Sequence, residues 1–167
     1  MEQKGKTGFS GQYHFEIWRE GKCIDSWDEY NLIPDEGLNS VLGVYCHGDA
    51  QIITWYMGIT SGVYTPAVSD TGANIVARAT EITTYAEATR HAVTFAAPAA
   101  KAITNAAARA TFTMNAGATI NGAFVVSTST KSAITGTLLS SLALGVPKAV
   151  VAGDQVLATF TLSAASV

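Results

Sequence analysis

The chain has 167 residues, of which 48% are hydrophobic and only 14% are charged, and its formal net charge is −3 at neutral pH. This length predicts one domain that closes its own hydrophobic core. The slight negative charge and the lack of a lysine or arginine cluster argue against nucleic-acid binding. A signal peptide and a membrane-spanning segment are not expected, because no run of about 18 strongly apolar residues occurs.

The charged residues are unevenly distributed. Twelve of the 23 lie within residues 1–36, and only five follow residue 90. A free monomer usually keeps a charged surface for solubility, so the long neutral stretch of Ala, Thr, Ser and Val predicts faces that are covered by partners. We therefore expect a homo-oligomer with closed symmetry, and specifically a trimer. The alternative is a surface of small residues that is simply uncharged.

The N-terminal region predicts an arm followed by a hairpin. Residues 1–11 are polar and contain three glycines, which predicts a flexible arm, with a single domain over residues 12–167. Alternation of Tyr13, Phe15 and Ile17 with polar neighbours predicts a strand with one buried face. A hairpin turn is expected at 19–22, with residues 23–27 returning as the partner strand.

One short helix is predicted next. Leu38, Val41, Leu42 and Tyr45 stand at helical spacing, and two acidic residues precede them, which predicts a helix over about residues 35–45. A run rich in β-branched and aromatic residues then predicts a buried strand over 52–59. Residues 60–76 show no sustained period and predict a long surface loop, in which Tyr64 is a candidate exposed contact.

The remaining sequence predicts a mostly-β fold. The alternating segments, separated by Gly, Pro, Asn and Ser clusters, suit a β-sandwich or a jelly roll. The alanine-rich stretch 96–110 allows a helix on propensity, but Pro98 and Asn105 interrupt it. Strands are predicted near residues 80–86, 91–97, 109–115, 119–127, 147–152 and 154–163.

Candidate catalytic and metal-binding residues are sparse. The three histidines, His14, His47 and His91, have no orienting carboxylate at motif spacing. The segment Cys46-His47-Gly48-Asp49 contains three types of metal ligand. No second Cys/His cluster completes a zinc site, so we interpret the segment as a loop after the helix. The segment 58–62 has Thr60 where a nucleophile elbow requires serine. We predict no catalytic, cofactor-binding or metal-binding residue.

Acidic residues and cysteines also lack a recognisable pattern. Asp25, Asp28, Glu29, Asp35 and Glu36 do not have the spacing of a calcium loop, which favours a solvated face. The later carboxylates are too scattered to nominate a hydrolytic pair; they are Asp49, Asp70, Glu81 and Glu87. For Cys23 and Cys46, reduced thiols are favoured over a single bridge.

Several segments together resemble a family of small tailed-bacteriophage virion proteins. The resemblance begins at Asn31-Leu32-Ile33-Pro34-Asp35-Glu36-Gly37-Leu38-Asn39 and covers roughly residues 30–163. It continues through the segments Trp55-Tyr56-Met57-Gly58-Ile59, Tyr85 to Arg90, Val93-Thr94-Phe95, Thr104-Asn105, Gly122-Ala123-Phe124 and Gly153-Asp154.

The resemblance implies a non-enzymatic structural protein of the virion. In particular it implies a capsid decoration, or cement, protein, a class whose sandwich or jelly-roll domains often assemble as trimers. The expected partners are the major capsid protein and further copies of the chain, and the expected location is the capsid surface after synthesis in the host cytoplasm. The alternative is a tail or head-fibre adaptor or receptor-binding module. The family has no catalytic residues to transfer.

Overall fold

The computed structural model describes residues 7–166, which form two antiparallel β-sheets. Strands hold 48% of the residues and helices 11%. The elements in chain order are β1 Thr7–Arg19, β2 Lys22–Asn31, α1 Asp35–Leu42, a π-helical turn Gly43–His47, β3 Trp55–Thr60, α2 Ile75–Ala79, β4 His91–Val93, β5 Ala102–Thr104, β6 Ala110–Thr113, β7 Ala118–Val126, β8 Leu138–Val150 and β9 Gln155–Ser166.

The strand order is that of a two-sheet protein. The first sheet has the order β2-β1-β9-β5, with β6 also paired to β9, and the second has the order β4-β3-β7-β8. The prediction of a mostly-β fold is confirmed, and the arrangement is consistent with a β-sandwich. The connectivity of a jelly roll is not established by this strand order.

The first hairpin forms as its sequence predicts. Glu20 and Gly21 occupy the turn with φ angles of 50° and 75°, the combination that a two-residue type I′ turn requires. Arg19 pairs with Lys22 beside this turn, and the register shifts by one residue between Ile17 and Trp18. Because of this bulge, the pairs from Ile17 back to Gly11 are displaced by one residue along β2.

The main core lies between the sheets and follows the predicted alternation. Tyr13, Phe15 and Ile17 are buried on β1. On the neighbouring β9, Val156 and Phe160 are buried too, and the rings of Tyr13 and Phe160 lie 4.9 Å apart between centroids. One face of each long strand therefore supplies the hydrophobic stabilisation of the first sheet.

A second, smaller core covers the outer face of the second sheet. Ile75 and Ala79 of α2 pack with Phe124, Val126 and Leu138. The prediction of a single helix is wrong, because α2 begins inside the predicted loop. A helix of five residues is too short to produce a periodic pattern, and its stability comes from these tertiary contacts.

The segment 31–39 fastens α1 to β8. The Glu36 carboxylate accepts hydrogen bonds from the backbone N–H groups of Gly72 and Leu138 at 2.8 and 2.6 Å. A Cβ on Gly37 would lie 2.8 Å from the Leu139 carbonyl oxygen, so only glycine lets the helix approach this strand. Leu32 also exchanges two backbone hydrogen bonds with Ser141. These residues therefore have structural roles.

Three other predictions differ from the structure. Thr7–Gly11 lie in β1 and pair with β9, so the arm predicted for residues 1–11 is wrong for these five positions, while residues 1–6 lie outside the described residues. The segment 80–86 makes only isolated bridges, at Glu81 and Tyr85. The strand predicted at 147–152 is the end of the much longer β8.

Candidate functional site: two apolar surfaces

The apolar stripe of α1 is only partly covered by the chain, since Leu38 and Val41 are half-buried. Gly37 is the one buried residue of this helix, whereas Leu42 is 57% exposed and Tyr45, in the following π-helical turn, is 90% exposed. A helix at a protein surface ordinarily turns its apolar stripe toward the core. The sequence therefore encodes an amphipathic helix whose apolar side is available to another molecule.

Three adjoining depressions extend this exposed stripe across one end of the sandwich, and we call them together the α1-end surface. Their volumes are about 230, 270 and 280 Å³. The first two share Val41, Ile52 and Trp55, and the last two share Ile103 and Leu162. Further lining residues are Phe9, Ser40, Val44, Tyr45, Gln51, Ile53, Phe95, Pro98, Lys101, Ala102, Leu139, Ser163 and Ala164.

Charge lies at the edges of the α1-end surface. Lys101 is the one charged side chain that lines its three depressions. A further depression of about 410 Å³ adjoins the first and is lined by the carboxylates of Glu36 and Asp49. Ile53, which lines the second depression, is 89% exposed and projects from the segment that leads into β3. Exposed apolar area of this kind, when it is contiguous, marks an interaction site.

A second apolar depression, which we call the Val63 surface, has a volume of about 200 Å³ and an uncharged lining. Val63, 91% exposed, stands at its edge. Trp55 begins β3 at the α1-end surface, and Val63 follows the other end of that strand. The two surfaces are thus separated by a strand of six residues, about 17 Å at the usual rise. The Val63 surface is lined by Val63, Tyr64, Asn121, Ala143, Leu144, Gly145 and Pro147.

A polar cluster occupies the outer face of the first sheet. His14 Nδ1 lies 3.0 Å from Asp28 Oδ1, and its Nε2 lies 3.4 Å from Glu16 Oε1. A hydrogen bond from the Trp18 indole lowers the pKa of Glu16, as does the guanidinium of Arg109. The sequence did not reveal a carboxylate partner for His14. In the structure this partner is Asp28, on the neighbouring strand β2. Among the described residues no Ser, Thr or Cys side chain hydrogen-bonds to His14.

The other histidines are separate from this cluster. His47, the last residue of the π-helical turn, has its Nδ1 2.8 Å from Asp49 Oδ1 at the surface. His91 Nδ1 lies 2.9 Å from the carbonyl oxygen of Ala92. Cys46 is exposed beside His47. Within residues 7–166, no group of three or more His, Cys, Asp or Glu side chains is placed to hold a metal ion.

The buried carboxylates hold loops in place. Asp70 pairs with Arg78 and accepts a hydrogen bond from the Ala67 N–H at 2.8 Å. Glu81 pairs with Arg90, with both side chains buried. Tyr64 is half-buried, with Arg78 5.9 Å from its ring centroid, so it is less exposed than predicted, although it lines the Val63 surface. Its neighbour Val63 is much more exposed, at 91%.

The remaining candidates lie far from any shared site. Thr60 is buried at the end of β3, where it pairs with Gly122. Glu87 accepts a hydrogen bond from the Thr113 N–H at 3.1 Å. Cys23 and Cys46 are both exposed free thiols, as the sequence favoured. Of the helices in the described part of the chain, none has the length and apolar character to cross a bilayer.

No protein-family model matches the chain, and a search of curated proteins finds no significant similarity.

Proposed function

We propose that the protein is a non-enzymatic structural subunit of a tailed-phage virion, and specifically a capsid decoration protein that binds the outside of the head and stabilises it. The observation that carries the proposal is the pair of separate apolar surfaces, whose linings contain one charged residue, Lys101. A subunit that links two neighbours needs two contact surfaces. The family resemblance of residues 30–163 supplies the biological setting.

Cementing a shell depends on buried area and not on a reaction. Stable protein interfaces bury roughly 1,200–2,000 Å² in total and exclude charge from their centre. Each of the two surfaces has uncharged depressions around which such an interface can be built. Repetition of the subunit over the shell increases the total stabilisation. Once one subunit of an oligomer has docked, each additional contact forms at a high effective concentration.

The Val63 surface is assigned to the major capsid protein. Four of its lining residues belong to β8, which lies in the half of the chain that has few charges. Val63 projects beside them as an apolar anchor that a complementary pocket can take. In this assignment the protein works at the virion surface with two kinds of partner, the major capsid protein and other copies of itself.

The proposal is tested by mixing the purified protein with capsids that lack it, and in parallel with isolated tails, followed by sedimentation. We expect binding to capsids and not to tails. Val63→Asp should abolish this binding, because it places an unpaired charge in the interface. Val68→Asp is the matched control, since Val68 is 56% exposed in the same loop and lines neither surface. Binding only to tails would support the alternative, an adaptor or receptor-binding module.

A further inference from the structure

We propose that the α1-end surface, together with the acidic depression beside it, binds a short basic segment of a neighbouring shell protein. In this segment lysine or arginine side chains stand next to apolar ones. The inference rests on the proposed function, because it gives the chemistry of the partner at one of the two surfaces on which that function depends. It is argued from carboxylates that have no cation beside them and from the apolar depressions that adjoin them.

The negative charge at this end of the sandwich is not compensated by the chain. Residues 23–77 contain seven Asp and Glu residues but no Lys or Arg. Among the described residues, no lysine or arginine side chain forms an ion pair with Asp35, Glu36 or Asp49. The last turn of α1 also has no basic residue. A partner with positive charge therefore meets a complementary potential here, which favours both encounter and specificity.

Two of these carboxylates are held in position at the acidic depression, whose volume is about 410 Å³. Glu36 accepts both of its backbone hydrogen bonds on one oxygen, Oε2, which leaves Oε1 available to a partner. The backbone N–H of Asp49 donates to the Gly43 carbonyl oxygen at 3.1 Å, and its Oδ1 lies 2.8 Å from His47 Nδ1. Because the chain already orders these groups, a cation can bind them at little entropic cost.

Apolar side chains continue directly from the acidic depression. The acidic depression and the apolar one of about 230 Å³ share the lining residues Ser40, Val44 and Ile52. The apolar depression also has the aromatic side chains Tyr45 and Trp55. A lysine or arginine side chain combines an apolar stem with a cationic head, and an aromatic ring attracts a cation as a carboxylate does. A basic side chain with an apolar neighbour thus matches both parts of the surface.

The same charge disfavours the other classes of partner. Uncompensated carboxylates repel the phosphates of nucleic acids and of anionic lipids. A two-fold contact between copies of this chain would bring Glu36 and Asp49 close to the same residues of the other copy, and an interface disfavours such like-charge contacts. A purely apolar partner would leave the acidic depression without a counterpart. The observations therefore favour a basic segment of a different protein.

The test is isothermal titration of the purified full chain with three synthetic peptides of about ten residues. Lysine alternates with leucine in the first peptide, glutamate with leucine in the second, and lysine with serine in the third. We expect the first to bind and the second not to bind. The third should bind about tenfold more weakly, because it buries no leucine. Binding of the first peptide should weaken as salt is added, since salt screens exposed charges.

A charge reversal locates the binding site on the protein. Asp49→Lys should weaken binding of the lysine-leucine peptide by about tenfold and should allow the glutamate-leucine peptide to bind. Glu20→Lys is the matched control, because Glu20 is an exposed carboxylate in the turn at the other end of β1 from Phe9. It should leave the affinities for both peptides unchanged. Since both replaced side chains are exposed, each variant should keep the wild-type melting temperature.

Three results would overturn the inference. The first is equal binding of the lysine-leucine and glutamate-leucine peptides, and the second is an equal loss of affinity in Asp49→Lys and Glu20→Lys. The third is an oligomer, seen by light scattering without peptide, that dissociates in Asp49→Lys, because a second copy would then cover the surface. Capsid binding separates the two proposals. Wild-type protein that binds capsids but not the lysine-leucine peptide contradicts only this inference, and protein that binds the peptide but not capsids contradicts only the decoration function.

Discussion

Arg90 and Glu81 form a buried, bidentate ion pair at the base of the loop that connects β7 and β8. The Arg90 Nε and Nη2 atoms donate to the two carboxylate oxygens at 2.8 Å each. Arg90 also donates to the carbonyl oxygens of Thr128 and Ala133, while the Ser132 N–H donates to Glu81. The pair thus fixes this loop by satisfying its backbone groups.

Replacing Arg90 should therefore destabilise the protein strongly. Arg90→Met leaves the Glu81 carboxylate buried without its cation, and we expect a loss of about 3–5 kcal/mol in the free energy of unfolding, measured by urea denaturation. Arg109→Met is the control, because the Arg109 side chain is about one third exposed, and it should cost less than about 1 kcal/mol. Similar losses in both variants would show that the buried pair has no special role.

The close contact of Gly37 with β8 gives a second prediction. Gly37→Ala places a Cβ 2.8 and 2.9 Å from the carbonyl oxygens of Leu139 and Leu138, and overpacking of this kind costs about 1–3 kcal/mol. Gly8→Ala is the control, since a Cβ there meets nothing within 4 Å. Thermal unfolding should show a lower melting temperature for Gly37→Ala alone. An unchanged melting temperature would mean that α1 shifts freely on the strand.

Acid should remove a contribution to stability at Asp154. Hydrogen bonds from the Arg19 guanidinium at 2.7 and 2.8 Å lower the pKa of the Asp154 carboxyl. Because the folded-state pKa is depressed, the contribution is full above the unfolded value of about 3.9 and is lost as pH falls through the folded value. Asp154→Asn should flatten the fall in unfolding free energy below about pH 4. Parallel curves for wild type and Asp154→Asn would refute this linkage.

The first hairpin was predictable from local sequence, but β5 and the His14 cluster were not. Alternation placed Tyr13 and Phe15 in the core, and the turn at 19–22 fixed the hairpin. Simple extension of the Arg19 to Lys22 pair, however, puts His14 opposite Trp27. The bulge near Ile17 moves it opposite Asp28 instead. A bulge depends on twist and packing across the sheet, and local alternation does not encode it.

The helix α1 illustrates a different limit. Its period correctly predicted a helix and an apolar stripe, but the sequence pattern does not indicate which molecule covers that stripe. Leu42 and Tyr45 remain exposed, so the pattern did not place these two side chains in the core. The depressions themselves join segments from β1 to β9, and only the fold brings Phe9, Val41 and Leu162 to one end of the sandwich.

The most direct test of the decoration function is the temperature at which capsids rupture, measured by release of packaged DNA, as purified protein is added to shells that lack it. The account predicts that the rupture temperature rises with occupancy and reaches a plateau at saturation. Val63→Asp should give no rise, and Val68→Asp should reproduce the wild-type curve. A rupture temperature that stays constant while the protein saturates the shells would contradict the claim that it stabilises the head.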